Sequence, residues 1–137
     1  MVLRLSWFVR RPRTLGAHAL ALTPERRLVL VKLRYAPGWR VPGGGRHPRE
    51  SAEEAVIREL REEIGLTSHG RVRLAAELEE AVHFKRDLSA LLVVEDVEYR
   101  PAWTWEIEQV AEFPLDALPP DTVESTWRWI EGLRSSL

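Results

Sequence analysis

Glu59, Glu62 and Glu63 are three carboxylates at i, i+3 and i+4, a spacing that lets acids meet on one face of a helix. Acids gathered this way repel one another and raise each other's pKa values unless positive charge intervenes. Hard oxygen donors of this kind suit Mg²⁺ or Mn²⁺, which keep several waters and reach substrate phosphates. The acids sit inside a longer pattern, G-x5-E-x7-R-E-U-x-E-E-x-G-U with U apolar. It is filled by Gly44, Glu50, Arg58, Glu59, Leu60, Glu62, Glu63, Gly65 and Leu66. An ordinary solvated helix face also carries acids, but it tends to alternate in sign. Glu54, Arg58 and Glu62 have that alternation and should form a ladder on the outer side. Glu59, Glu62 and Glu63 cluster with no cation between them.

Something must hold these acids in register, and the sequence supplies it. Ser51 followed by Glu54 has the S-x-x-E form of a capping box, so a helix should start there. Gly65 stands where a left-handed residue would end it. Good helix formers fill the interval, without Gly or Pro. Val56, Ile57, Leu60 and Ile64 fall on one flank and form the expected buried stripe. Ala52 and Ala55 lie on the acid arc one turn earlier, where small side chains would leave room for a ligand. Ahead of the helix, Arg40-Val41-Pro42 leads into Gly43, Gly44 and Gly45, which permit φ > 0 and close approach of backbone to helix and ligand. Three glycines together suggest a loop shaped around phosphate, where one would suffice for a plain turn.

The segment Gly44 to Leu66 resembles the Nudix box, the fingerprint of hydrolases acting on nucleoside diphosphates linked to another moiety. So many fixed identities at fixed offsets rarely coincide by chance. The resemblance implies an α/β fold, an α/β/α sandwich with a mixed β-sheet. It also implies a Mg²⁺ site, with Mn²⁺ as the alternative, built from Glu59, Glu62, Glu63 and Gly44. Arg58 would orient a glutamate of the box, instead of making only weak exposed pairs with Glu54 and Glu62. Glu62, or Glu106 or Glu108 further on, would take the proton from water. Glu106 and Glu108 would share a strand face. On the substrate side the candidates are Gly43, Gly44, Gly45 and Arg40, with Lys85 and Arg86 beside His83 as a basic group. A solvated loop explains that basic group equally well. The likeness extends loosely over Gly16 to Pro119, where GWRVPGGG and FPLDALP resemble usual flanking segments, and leaves residues 1–15 outside as an arm.

Markers of particular subgroups are missing. Ala81-Val82 stand where ADP-ribose hydrolases of the family often carry proline, and His83-Phe84 where dinucleoside-polyphosphate hydrolases often carry tyrosine. Coenzyme A and NADH segments are absent too. Nucleoside triphosphates, sugar nucleotides and ADP-ribose stay open as substrates. The alternatives are a non-catalytic nucleotide-binding module and an RNA 5′-pyrophosphate or cap hydrolase. The first would be favoured by lost acids and the second by a basic stripe with aromatics.

The whole chain bears on these choices. Its 137 residues form a single expected domain, 1–137, long enough to bury a core. A formal net charge of −1 gives no electrostatic reason to bind DNA or an anionic membrane. Without cysteine, disulfides, thiolate zinc sites and cysteine nucleophiles are excluded, which is compatible with a cytoplasmic setting. No apolar run approaches a membrane span. MVLRLSWFVRRPR is broken by arginine too early for a signal-peptide core, though it could make a short basic membrane or partner contact. The expected partner is a small-molecule nucleotide, with a homodimer left open.

Gly16–Leu22 and Leu28–Leu33 read as strands around a turn at Thr23–Arg27, and Tyr35–Trp39 as a loop. Further strands are expected at Arg71–Glu79, Leu88–Glu95 and Trp103–Val110. Asp121 with Glu124 offers a second capping box before the spacing of Trp127, Ile130 and Leu133. His18 reads as a structural strand residue. Among six tryptophans, Trp39, Trp103 and Trp105 could stack on a base, though packing is the commoner fate.

Overall fold

Strands covered on both faces need apolar residues at nearly every position, and Ala19–Leu22 and Leu28–Val31 supply them. The computed structural model describes the backbone of residues 13–82 and 85–137 and the side chains of 15–79 and 87–137. The elements in chain order are β1 (Arg13–Ala21), β2 (Leu28–Leu33), β3 (Ala36–Arg40), β4 (Gly43–Gly45), α1 (Ala52–Ile64), β5 (Leu66–Ser68), β6 (Val72–Val82), β7 (Lys85–Val94), β8 (Glu98–Tyr99), β9 (Ile107–Phe113) and α2 (Glu124–Leu133), followed by a 3₁₀ turn.

Three sheets result, ordered β4-β1-β7-β6, β3-β2-β9 and β5-β8. The first is mixed. β1 runs parallel to β7, with Ala17 opposite Ala90, and antiparallel to β4, with Ala17 opposite Gly44. Side chains alternate between two cores. Ala17, Ala19 and Ala21 of β1 pack with Ala90, Leu92 and Val94 of β7 against Ala55, Val56, Leu60 and Ile64 of α1. Leu20, Leu22, Leu28, Leu30 and Val93 point the other way and pack with Ile130 of α2. The chain is therefore the expected α/β/α sandwich. Removing one fully buried leucine such as Leu60 would cost about 2–5 kcal/mol.

α1 has the predicted ends. Ser51 Oγ accepts from Glu54 N at 3.0 Å, and Glu54 Oε1 accepts from Ser51 N at 3.0 Å. Gly65 closes the helix at φ 72° and ψ 45°. A Cβ on Gly65 would lie 2.0 Å from the Arg100 carbonyl oxygen, so the position tolerates no side chain.

Other expectations need correcting. The segment expected as a loop becomes β3, because Trp39 is buried between Phe113 and the Lys32 side chain and pairs opposite Lys32. The strand expected from Trp103 begins at Ile107, the first residue there to turn inward; Trp103 and Trp105 are exposed ahead of it. They share no strand face and touch edge to face at 4.7 Å. Asp121 does not cap α2. Its carboxylate meets Lys32 at 3.3 Å and its carbonyl accepts from Trp39 N, so the helix starts after Val123 without a side-chain cap. Arg13–Leu15, placed in the arm by sequence, already belongs to β1. Residues 1–12 and His83-Phe84 lie outside the described residues.

Candidate active site

β4 is pressed against the acid face of α1. Gly43 has φ 148°, and a Cβ there would sit 2.4 Å from the Ala17 carbonyl oxygen. Its N–H donates to Glu63 Oε1 at 2.9 Å. At Gly44 the missing side chain matters for another reason, since a Cβ would come within 2.9 Å of Glu59 Oε1. Only Gly43 of the three uses positive φ; Gly44 and Gly45 are strand residues, so the expected phosphate loop is a short strand whose bareness admits carboxylates. The Gly44 carbonyl, proposed from sequence as a metal ligand, is turned onto β1.

Arg58 ties the site together. Its Nε donates to Glu50 Oε2 at 2.7 Å and its Nη2 to Glu50 Oε1 at 2.9 Å, a two-pronged pair. Nη2 also donates to the Gly45 carbonyl at 2.9 Å, and Nη1 to Glu59 Oε1 at 3.1 Å. The Arg58 hydrogen bond, with that from His47 N, holds the Glu50 carboxyl down at about 2. A cation does stand between Glu59 and Glu62, contrary to the sequence expectation, because Arg58 Nη1 also reaches Glu62 Oε2 at 3.4 Å. Only the second rung of the outer ladder forms, between Arg58 and Glu62, as the Glu54 carboxylate accepts from the Ser51 backbone instead.

The acids differ in surroundings. Glu63 is buried, with 6% of its surface exposed, while the Glu62 side chain is 59% exposed. Burial pushes the Glu63 carboxyl up to about 8, assisted by the charges of Glu59 and Glu106, although the Gly43 N–H opposes the shift. Burial raises Glu59 as well, against the pull of Arg58. Glu59 and Glu63 lie close enough for the charge of Glu59 to favour the protonated form of Glu63. Among the described residues no three acidic or histidine side chains form a ready-made cation cage. The structure brings Glu59 and Glu63 together and leaves Glu62 at the rim.

The other candidates are distributed unevenly. Glu106 precedes β9, close enough to act on Glu63; Glu108 follows within the strand and is exposed, so the two do not form a strand-face pair. Arg40 Nη2 donates back to the Pro37 carbonyl at 3.1 Å. Lys85 and Arg86 start β7, and their side chains lie outside the described residues. Ala55 is fully buried and Ala52 packs on the same core, so neither leaves ligand space.

The sequence pattern describing the NUDIX domain matches residues 12–133. The chain belongs to the Nudix family. Over 52 residues it is 46% identical to a Bacillus subtilis (strain 168) protein named "Putative 8-oxo-dGTP diphosphatase", covering 38% of this chain but only 35% of that relative's length. The crystal structure of a MutT NUDIX hydrolase from Burkholderia pseudomallei superposes with TM-score 0.73 at 26% identity, over 88% of this chain and 98% of the other. The MutT protein of Methanosarcina mazei Go1 shares the fold, with TM-score 0.67 and 22% identity over 91% and 95% of the two chains.

This Nudix domain also has a feature that sequence reasoning passed over. On the sheet face opposite the acids, a cleft of about 190 Å³ is lined by Gly16, His18, Gly44, Asp87 and Ser89. His18 packs against Trp129 with ring centroids 5.0 Å apart. Desolvation lowers its pKa to about 4, leaving the imidazole neutral. The available signal was a histidine inside an otherwise apolar strand.

Proposed function

We propose that this Nudix domain is a metal-dependent pyrophosphohydrolase that cleaves the pyrophosphate bond of a nucleoside diphosphate derivative. The observation that carries the reading is the Glu59–Glu63 pair against β4, two carboxylates whose burial and proximity demand a positive partner. These hard oxygen donors fit Mg²⁺ or Mn²⁺, held by Glu59 and Glu63 with Glu62 at the rim. Bound there, the ion would neutralise charge on phosphate oxygens and acidify a water.

The chain's own residues do the remaining work. Arg58 is a positioning residue that fixes Glu50, Gly45 and Glu59 relative to one another. Bare glycines let the phosphates approach the acids without a side chain in the way. Glu62 and Glu106, both exposed, are our candidates to accept a proton from attacking water. Of the two downstream acids we favour Glu106, because its charge acts on Glu63. A nucleoside triphosphate is the first substrate to try, in view of the name carried by the Bacillus relative.

The test is a Mg²⁺-dependent screen of nucleoside triphosphates, 8-oxo-dGTP, ADP-ribose, sugar nucleotides, dinucleoside polyphosphates and capped RNA, identifying the products. Release of phosphate or pyrophosphate with the nucleoside monophosphate is expected, abolished by chelator and lowered about a hundredfold or more in Glu59→Gln or Glu62→Gln. Turnover that persists in folded Glu59→Gln and Glu62→Gln would sink the assignment. Binding of nucleotide without turnover across the panel would favour the non-catalytic module.

A further inference from the structure

Gly16 leaves a hole in the sheet face, and three polar atoms surround it. His18 Nε2, Ser89 Oγ and the Gly44 carbonyl oxygen each lie 3.6 Å from the point a Gly16 Cβ would occupy. On the far side of the ring, His18 Nδ1 is buried with no hydrogen-bond partner. A polar ring placed in an apolar strand and left partly unsatisfied calls for an explanation beyond packing. Trp129 packs against the ring at a tilt of 41°, and Nε2 is the ring atom that borders the niche.

The lining also says what would not bind. Asp87 contributes a carboxylate, and none of the described residues lining the cleft is lysine or arginine. Phosphate is disfavoured there. Hydroxyl, carbonyl and carboxylate oxygens together offer acceptors, which suit a neutral group bearing N–H or O–H donors. A cleft of about 190 Å³ has room for a sugar ring or a base. Gly44 is a wall common to both regions, its carbonyl bordering the niche and its bare Cα facing Glu59.

We propose that His18 and Ser89 are specificity-determining residues, recognising an uncharged, donor-bearing ring of the substrate in the niche that Gly16 leaves open. This deepens the pyrophosphohydrolase reading and rests on it for the position of the phosphates. The donors belong either to a base edge or to a sugar diol, which share this chemistry.

Two variants test the idea. Gly16→Ala puts a methyl group into the niche with no contact shorter than 3.6 Å, so the fold should tolerate it. His18→Phe keeps the ring against Trp129 and removes its hydrogen bonding. Each should raise KM for nucleotide about tenfold with kcat within about twofold, the effect of one lost hydrogen bond. Inorganic tripolyphosphate, which has no ring, should bind both variants like wild type. Binding of free guanosine and adenosine, followed by equilibrium dialysis, should fall in both variants. A penalty that depends on the base indicates a base edge, and one that vanishes for 2′-deoxy substrates indicates the sugar; either supports the niche. Unchanged KM in folded variants, or an equal loss for tripolyphosphate, overturns it. If wild type turns over no nucleotide yet binds nucleosides, and both variants lose that binding, the niche stands and only the reaction falls. Absence of both turnover and nucleoside binding defeats both.

Discussion

At the scale of single residues the site is a balance of protons and charges. Glu63 has its carboxyl raised from 4.5 to about 8 by burial, so the native chain keeps a proton that the unfolded chain has released across that interval. Stability from this group is full below 4.5 and is lost as pH rises through about 8. In the proposed function a divalent ion would take the proton's place, so its binding should release protons and strengthen with pH. Mg²⁺ should therefore raise Tm more at pH 8 than at pH 6, and Glu63→Gln should erase the difference; a Tm response independent of pH would contradict it. Glu50 behaves oppositely, because its carboxyl is held at about 2, and its contribution disappears as pH falls from 4.5 towards that value. Arg58→Lys keeps the charge but loses the two-pronged grip on Glu50. We expect activity to fall about ten- to a hundredfold, as when groups that orient ligands are lost, with little change in Tm. Equal kcat/KM for the two proteins would remove Arg58 from the positioning role.

At the scale of elements, α1 was readable because its signals are local. Ser51, Glu54 and Gly65 fix its ends, and the buried side at Val56, Leu60 and Ile64 follows the 3.6-residue period. Burial of Ala55 was misjudged because the buried face is wider than four residues suggest, extending round to Ala55 and Glu63. β3 and the start of β9 were obscure, since Pro37 and Gly38 look like a turn and only Trp39's burial against Phe113 draws that segment into the sheet. The two ends of α1 should respond differently to substitution. Ser51→Ala removes one cap and should cost about 1 kcal/mol. Gly65→Ala should cost more than that, because φ 72° is strained for alanine and the Arg100 carbonyl occupies the space. Urea unfolding of both variants measures the ranking, and a reversed order would mean the Gly65 turn relaxes freely.

At the scale of the whole molecule, the sheet order was beyond the sequence, because strand pairing joins residues far apart in the chain. The parallel partnership of β1 with β7 places Gly16 beside Ser89, and so makes a niche from residues that no local pattern connects. The resulting sandwich separates two tasks, with the acids on the α1 face and the His18 cleft on the α2 face. Ile130 is the fully buried anchor of α2. Ile130→Ala should destabilise the fold by about 2–5 kcal/mol. The acids stand on the other face, held by Arg58 and β4, so the gain in unfolding free energy produced by saturating Mg²⁺ should survive the substitution. Denaturant titrations with and without Mg²⁺ give both quantities. If Ile130→Ala abolished the Mg²⁺ increment while the chain stayed folded, the two faces would be coupled, and the acid pair would depend on α2 as well as on the helix that carries it.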